Sequence, residues 1–203
     1  MRFKEDGIYH IYNRGNKKQP IFFIEENYIS FIKKIRIELL PYCEILTYCL
    51  MPNHFHLIVC IKREEDIRTH SKNKTLNNAI AIALRSYTRL MQSQENFTGS
   101  LFQQKTKAKE LIDSDNVTIN YTSLCAHYIH QNPLKARIVE NLMEWKFSSY
   151  LDYIGLRNGT LCNKQLFYLL AEINEEDFIR ESDPHPMSIA EHIVSSDEES
   201  KFY

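Results

Sequence analysis

Two histidines at alternate positions, His54 and His56, are the residues of this 203-residue chain best suited to metal chemistry. On a β-strand, residues i and i+2 point to the same face, so the two imidazoles would lie side by side while Phe55 enters the core on the other face. Neutral imidazole is the commonest metal ligand in proteins. The alternative is a half-buried strand with two incidental histidines, and the pair alone does not decide between the two.

A second group of chemical interest lies about seventy residues further on, at Tyr128 and Asn132. On a helix these residues are one turn apart on one face, and Pro133 predicts that the helix kinks or ends there. A phenol can attack phosphorus when a metal polarises the phosphate, and the Asn132 amide could supply a third oxygen ligand. The alternative is a core tyrosine with its hydroxyl at the rim, which is the usual place for a helical tyrosine.

The hydrophobic pattern predicts the elements that would position these groups. It predicts strands at 7–13, 44–50, 54–61 and within 101–111, and helices at 25–40, 75–95 and about 117–135, the last with N-caps at 113–116. Strand–helix–strand–strand–helix–strand is the order of an α+β, ferredoxin-like (split βαβ, RRM-like) fold. We expect an antiparallel sheet with two helices on one face and further C-terminal helices. The strand of His54 and His56 would be central, and its exposed face would form the floor of the site.

Charge divides the chain into a basic body and an acidic tail. Residues 1–160 carry 22 basic and 16 acidic residues, whereas residues 161–203 carry 3 and 10. We therefore predict a catalytic domain at 1–160 that binds a polyanion, and an acidic, helical and partly disordered tail at 161–203. The absence of a signal-peptide pattern and of a transmembrane segment predicts a cytoplasmic protein, and the five cysteines show no zinc-site spacing, which favours free thiols.

Several short motifs in a fixed order resemble the HUH single-tyrosine transposases, and most of all their REP-associated tyrosine transposase branch. The motifs lie between residues 7 and 155. They are Tyr9-His10-Ile11-Tyr12-Asn13-Arg14-Gly15, Pro52-Asn53-His54-Phe55-His56-Leu57-Ile58, Gly99-Ser100-Leu101-Phe102-Gln103, Tyr128-Ile129 with Asn132-Pro133 and Lys135-Ala136, and Trp145-Lys146-Phe147-Ser148-Ser149-Tyr150. The family commonly has glycine where this chain has Arg137, which places Arg137 at a predicted left-handed turn.

The resemblance implies an enzyme that cleaves and rejoins single-stranded DNA near hairpins. It implies that Tyr128 forms a 5′-phosphotyrosine intermediate, that His54 and His56 hold Mg²⁺ or Mn²⁺, and that Asn132 is the polar ligand one turn after the tyrosine. A homodimer in which Tyr128 reaches the histidines of a second copy is also compatible with the sequence.

Basic residues in two segments are the candidates for contacting the DNA backbone. They are Arg14, Lys17, Lys18, Lys105, Lys107 and Lys109. The three later lysines alternate and would share one face of a strand, and Tyr9 and Tyr12 are candidates for stacking on bases. For each lysine an ordinary solvated surface is the alternative.

Other functions explain fewer of these residues. A relative that binds hairpin DNA without cutting it is the main alternative to the enzyme. An RNA-ligase-like phosphodiesterase would need two His-x-Thr/Ser motifs, and the chain has none. An RRM-like RNA binder would need aromatic residues where the central strand carries histidines.

Overall fold

A four-stranded antiparallel sheet forms the centre of the protein. The computed structural model describes residues 1–67, 75–111 and 121–182. The strands are β1 (Ile8–Arg14), β2 (Cys43–Met51), β3 (His54–Ile61) and β4 (Lys107–Glu110). Their spatial order is β2-β3-β1-β4, which is the ferredoxin-like arrangement, so the predicted α+β class is confirmed and β3 is a central strand.

The turn before His54 is fixed by contacts from outside the hairpin. Pro52 and Asn53 connect β2 to β3 as a two-residue loop, with Met51 opposite His54 in the register. The Pro52 carbonyl accepts hydrogen bonds from Ile21 and Phe22, at 2.8 and 3.2 Å. The loop is therefore bound to the segment that follows β1, and the first residue of β3 is held in place.

Two long helices pack on one face of the sheet, as predicted. They are α1 (Glu25–Leu39) and α2 (Leu76–Glu95). Thr75 caps α2 by accepting a hydrogen bond from the Asn78 amide at 3.4 Å, and Asn96 ends it in the left-handed conformation at φ 49°. Apolar side chains of β1, β2 and β3, including Phe55, face these helices.

The opposite face of the sheet is covered as well, which corrects the expectation of an exposed floor. The covering elements are α3 (Tyr121–Lys135), α4 (Tyr150–Tyr153), α5 (Lys164–Leu170) and α6 (Glu175–Glu181). They form a second core with Leu46, Ile58 and Cys60 of the sheet. Helix α3 is buried on most of its circumference, yet many of its buried residues are polar, so its sequence does not show the apolar stripe that announces a buried helix.

The strand predicted within 101–111 is present and is four residues long, Lys107–Glu110. These four residues form the ladder with β1, and Lys105 lies before the strand. Towards the end of β1, the Gln103 amide donates to the Arg14 carbonyl at 2.9 Å. The Asn13 side-chain amide donates to the Gln103 carbonyl at 3.2 Å and to Thr106 Oγ1 at 2.9 Å, so a side chain replaces the ladder there. The predicted N-caps at 113–116 and the start of the third helix at 117 lie outside the described residues.

The beginning of the predicted tail belongs to the folded body. The backbone of Cys162 forms an isolated parallel β-bridge with Ile45 of β2. Phe167 and Phe178 are fully buried in the second core. All five cysteines are free. In the described residues, no helix combines the length and apolar character that a membrane span requires. The boundary at residue 160 stays a prediction, and residues 183–203 lie outside the description.

Candidate metal and nucleophile site

The strand register brings the two histidines together with residues of β1. In the β1–β3 ladder Arg14 lies opposite His54 and Tyr12 lies opposite His56. Directly opposed residues share a face, so all four side chains point toward α3. The rings of His54 and His56 lie edge to face with their centroids 5.0 Å apart.

His54 is oriented by the residue before it. Its Nδ1 lies 2.6 Å from Oδ1 of Asn53. An amide oxygen only accepts, so His54 must carry its proton on Nδ1 and donate it to Asn53. Nε2 is therefore the nitrogen with the lone pair, and it is the atom that His54 could offer to a metal ion.

His56 is held by a third histidine that we did not assign to the site from the sequence. Nε2 of His10 lies 2.8 Å from Nδ1 of His56, and the two rings are stacked with centroids 5.1 Å apart. The ring of Tyr12 stacks on that of His10, with the two centroids 4.8 Å apart. His10 is diagonal to His56 in the ladder, so the two meet only because of the register between β1 and β3. The sequence of one strand alone does not determine that register.

Burial keeps these imidazoles neutral. Loss of hydration lowers the pKa of His54 to about 3, with a smaller contribution from the positive charge of Arg14. Loss of hydration also lowers the pKa of His10 to about 3, aided by Lys109, and lowers the pKa of His56 well below its usual value, aided by His54 and His10. A metal ligand must have its lone pair free of a proton, and at neutral pH all three rings meet that condition.

Helix α3 brings Tyr128 to His56 within one subunit. The two rings lie edge to face with centroids 6.3 Å apart, and Tyr128 is 8% exposed. The ammonium of Lys135 lies 5.2 Å from the centre of the tyrosine ring. Asn132, one turn after Tyr128, is fully buried, so the structure places the predicted nucleophile and the predicted amide on the buried side of the same helix.

The end of α3 has the geometry that positions Lys135. The helix continues past Pro133 and ends at Lys135, the predicted C-terminal residue of the helix. Arg137 has the left-handed backbone conformation, at φ 54°, which was predicted because the family that the sequence resembles commonly has glycine at this position. Its amide donates to the Leu134 carbonyl at 2.9 Å, and the Ile138 amide donates to the Pro133 carbonyl at 3.0 Å, which together form a Schellman motif.

The donor set fits a divalent ion that takes most of its ligands from elsewhere. In residues 1–67, 75–111 and 121–182, no three His, Cys, Asp or Glu side chains are grouped to hold a metal. His54, His56 and Asn132 would offer two imidazole nitrogens and one amide oxygen. Such an ion completes its shell with phosphate oxygens and water. Mg²⁺ and Mn²⁺ both prefer oxygen ligands, so oxygens of phosphate and water would supply most of the shell beside the two imidazoles.

The predicted DNA-contacting residues separate into two groups. Lys107 lies opposite Tyr12 and Lys109 lies opposite His10, so both lysines share the face of the histidines, as does Arg14. Lys17 and Lys18 are exposed on a short 3₁₀ turn, where the Lys18 carbonyl accepts a hydrogen bond from the Asn53 side chain at 3.5 Å. Their turn thus borders the loop that leads to His54.

Two of the smaller predictions are corrected by the register. Lys105 is exposed but lies outside β4, so it does not share the strand face of Lys107 and Lys109. Tyr9 is on the opposite side of the sheet, 3% exposed and packed edge to face against Phe3, so it cannot stack on bases. The alternation that puts Tyr12 on the histidine face necessarily puts Tyr9 on the other.

The fold resembles a known DNA-binding enzyme. A solved structure of a REP-associated tyrosine transposase bound to a REP hairpin superimposes with a TM-score of 0.53. The match covers 76% of this chain and 83% of that chain at 15% sequence identity. No protein-family model and no curated protein matches this sequence. The similarity therefore establishes a shared fold.

Proposed function

We propose that the protein is a metal-dependent, transposase-like DNA transesterase that cleaves and rejoins single-stranded DNA near hairpins through Tyr128. One observation carries the proposal. The only side chain with a phenol nucleophile that α3 presents to His56 within the described residues is Tyr128, and His56 stands beside His54 on the same strand face. The fold shared with a hairpin-bound tyrosine transposase supports DNA as the partner.

The chemistry assigned to Tyr128 is an exchange of one phosphate ester for another. The phenol oxygen forms a bond to the scissile phosphorus, and the bond from phosphorus to the 3′ oxygen breaks. The phenol loses its proton and the departing strand gains one, which leaves a 3′-hydroxyl and a 5′-phosphotyrosine. The reverse attack by a 3′-hydroxyl restores a phosphodiester, so rejoining needs no external energy source.

The surrounding residues support this exchange in separate ways. The Lys135 ammonium lies above the phenol ring and stabilises negative charge as the proton leaves. Asn53 and His10 orient the two histidines. His54, His56 and Asn132 would hold the divalent ion, which when bound draws charge from the phosphate oxygens. Arg14, Lys107 and Lys109 flank this group and would contact the phosphates of the strand.

Binding of hairpin DNA without cleavage is the second candidate, because one observation favours it. Tyr128, His54 and His56 are each at most 8% exposed, and α3 covers the floor of the site. Cleavage therefore requires that a strand enters beside α3 or that α3 shifts on the sheet. A protein in which neither happens would bind hairpins through its basic residues alone.

The deciding experiment is a search for a covalent adduct. Labelled single-stranded oligonucleotides with one hairpin and randomised flanks are incubated with the protein and Mn²⁺, then separated on denaturing gels. We expect a labelled protein band. Mass spectrometry of the digested adduct should show the DNA attached to the peptide that contains Tyr128. Tyr128→Phe and His56→Ala should abolish the band, and the control Tyr150→Phe should retain it. Hairpin binding with no adduct from any flank would favour the binding function.

A further inference from the structure

His10 has contacts that give it a defined place in the candidate site. Its Nε2 is within hydrogen-bond distance of His56 Nδ1, at 2.8 Å, and its ring is stacked on that of His56. The side chain is 2% exposed and lies on β1, between β3 and β4. Its ring is also stacked on Tyr12. These contacts leave the ring little freedom to rotate away from His56.

A hydrogen bond between two neutral imidazoles has two possible directions. Either His10 donates from Nε2 to His56 Nδ1, or His56 donates from Nδ1 to Nε2 of His10. In the first case His56 carries its proton on Nε2 and cannot offer that atom to a metal ion. In the second case Nε2 of His56 keeps its lone pair, which is the arrangement that metal-binding histidines use.

We propose that His10 is a positioning residue that accepts the Nδ1 proton of His56 and so fixes the tautomer and the ring orientation in which His56 binds the divalent ion. This inference rests on the proposed function, because it assigns a role relative to the proposed metal. It goes beyond it by naming a residue of β1 that touches neither the ion nor the DNA. His10 acts only through His56.

The neighbouring ligand is held in the same manner by a different residue. His54 donates from Nδ1 to the side-chain oxygen of Asn53 at 2.6 Å, and that direction is unambiguous because the oxygen can only accept. If His10 accepts from His56, both ligands carry the proton on Nδ1 and keep a lone pair on Nε2. With the opposite direction, His54 would have its lone pair on Nε2 and His56 would have a proton there. The two Nε2 atoms could then not bind the same ion.

The first test uses the unaltered, metal-free protein. Long-range ¹H–¹⁵N correlation spectra distinguish the Nδ1–H and Nε2–H tautomers of each histidine ring. We expect Nδ1–H signatures for both His54 and His56, and an Nε2 of His10 with the chemical shift of an acceptor. An Nε2–H tautomer at His56, with His10 as the donor, would overturn the proposal whatever the enzyme does.

The second test measures Mn²⁺ affinity from the electron paramagnetic resonance signal of the free ion. His10→Phe keeps a planar ring but removes the acceptor, and we expect a 10- to 100-fold rise in Kd, about the effect of losing such an outer partner. His10→Gln offers an amide oxygen near the position of Nε2 and should recover most of the affinity. The control His127→Gln changes a buried histidine that does not contact His54 or His56, and its Kd should equal that of the wild type.

The outcomes separate this proposal from the proposed function. Unchanged Mn²⁺ affinity in His10→Phe, with normal binding by the wild type, would overturn the role of His10 and leave the metal site intact. Failure of the wild-type protein to bind Mn²⁺ would overturn the metal site and the role of His10 together. Mn²⁺ binding that depends on His10, in a protein that forms no DNA adduct, would support this inference while contradicting cleavage.

Discussion

Buried histidines lie on both sides of α3, but their neighbours differ. On the sheet side, His54 and His56 stand beside Tyr128. On the other side, His127 and His130 belong to the helix itself and are each 1% exposed. Burial lowers the pKa of His127 to about 4 and that of His130 to about 3, much as it does for His54.

Three of the four ring nitrogens on the far side lie within hydrogen-bond distance of hydroxyl groups. Nδ1 of His127 lies 3.1 Å from Oγ of Ser182 and its Nε2 lies 3.3 Å from Oγ of Ser123. Nε2 of His130 lies 2.8 Å from Oγ of Ser149. Phe178 of α6 stacks on His127 with centroids 4.4 Å apart. These histidines join α3 to the C-terminal helices.

The difference shows that burial and a lowered pKa do not by themselves identify a metal site. What distinguishes the sheet side is that two rings lie next to each other on one face of β3, with side chains that orient their Nδ1 atoms and a phenol beside them. Charge separates the sides as well, since lysines border the histidines of the sheet whereas Glu175, Glu176 and Asp177 open α6. We therefore expect functional loss on one side and loss of stability on the other.

The largest expected effect is on DNA cleavage. His54→Ala or His56→Ala should reduce adduct formation by about 100-fold or more, because a direct ligand should matter at least as much as an outer partner. His127→Gln should stay within a few-fold of the wild type on the same hairpins. The measurement is the initial rate of adduct formation at saturating Mn²⁺. Equal losses in all three variants would contradict the functional difference between the two sides.

The next effect is on stability. His130→Ala removes the hydrogen bond to Ser149 and leaves a cavity beside Tyr153 and Phe178. We expect the free energy of unfolding to fall by about 2–4 kcal/mol. Urea titration followed by circular dichroism measures the change. Mn²⁺ affinity of the folded variant should be retained, and a parallel loss of affinity would show that the two sides are coupled through α3.

Local sequence pattern was sufficient for most of the elements that support the strand of His54 and His56. Strands β1 to β3, helices α1 and α2 and the hairpin before His54 all follow from apolar periodicity and turn residues. The pairing of His54 with His56 follows from alternation along a single strand. These features depend on residues close in the chain, which is why they could be predicted.

Features that depend on distant contacts were not predicted. His10 joins the site through the β1–β3 register, and the polar side chains on the far side of α3 have partners 19 and 55 residues away, at Ser149 and Ser182. The irregular segment before β4 depends on the side chain of Asn13, 93 residues from Thr106. A polar residue gives no indication in sequence of whether a distant hydroxyl or amide will satisfy it.

His127 should contribute to the loss of stability at acidic pH. Its pKa is about 4 in the folded protein and near 6.5 in the unfolded chain, so below pH 6.5 the unfolded chain binds a proton that the folded protein does not. Stability is therefore lost as pH falls from 6.5 toward 4, with about 1 kcal/mol from His127 between pH 7 and pH 5.5.

Urea titrations of the wild type and of His127→Gln across this pH range isolate that contribution. The variant should lose less stability on acidification, and the two curves should converge as pH falls. Because His127 is neutral at pH 7, its contact with Glu181 at 3.7 Å is not an ion pair there. A steeper acid loss in the variant would mean that Glu181 stabilises a charged His127, contrary to the effect of burial.

The smallest expected effect concerns the lysines that border the sheet-side histidines. Lys107→Ala and Lys109→Ala should each weaken hairpin binding several-fold and reduce the slope of log K against log salt by about 0.7, the value for one contact to a single-stranded phosphate. Lys105→Ala should change the slope less, because Lys105 lies outside the strand face of the other two. Glu176→Gln, on the acidic side, should leave the slope unchanged. Fluorescence anisotropy at several salt concentrations measures all four, and an equal slope change for Lys105 and Lys107 would show that DNA follows the whole 105–109 segment rather than the histidine face.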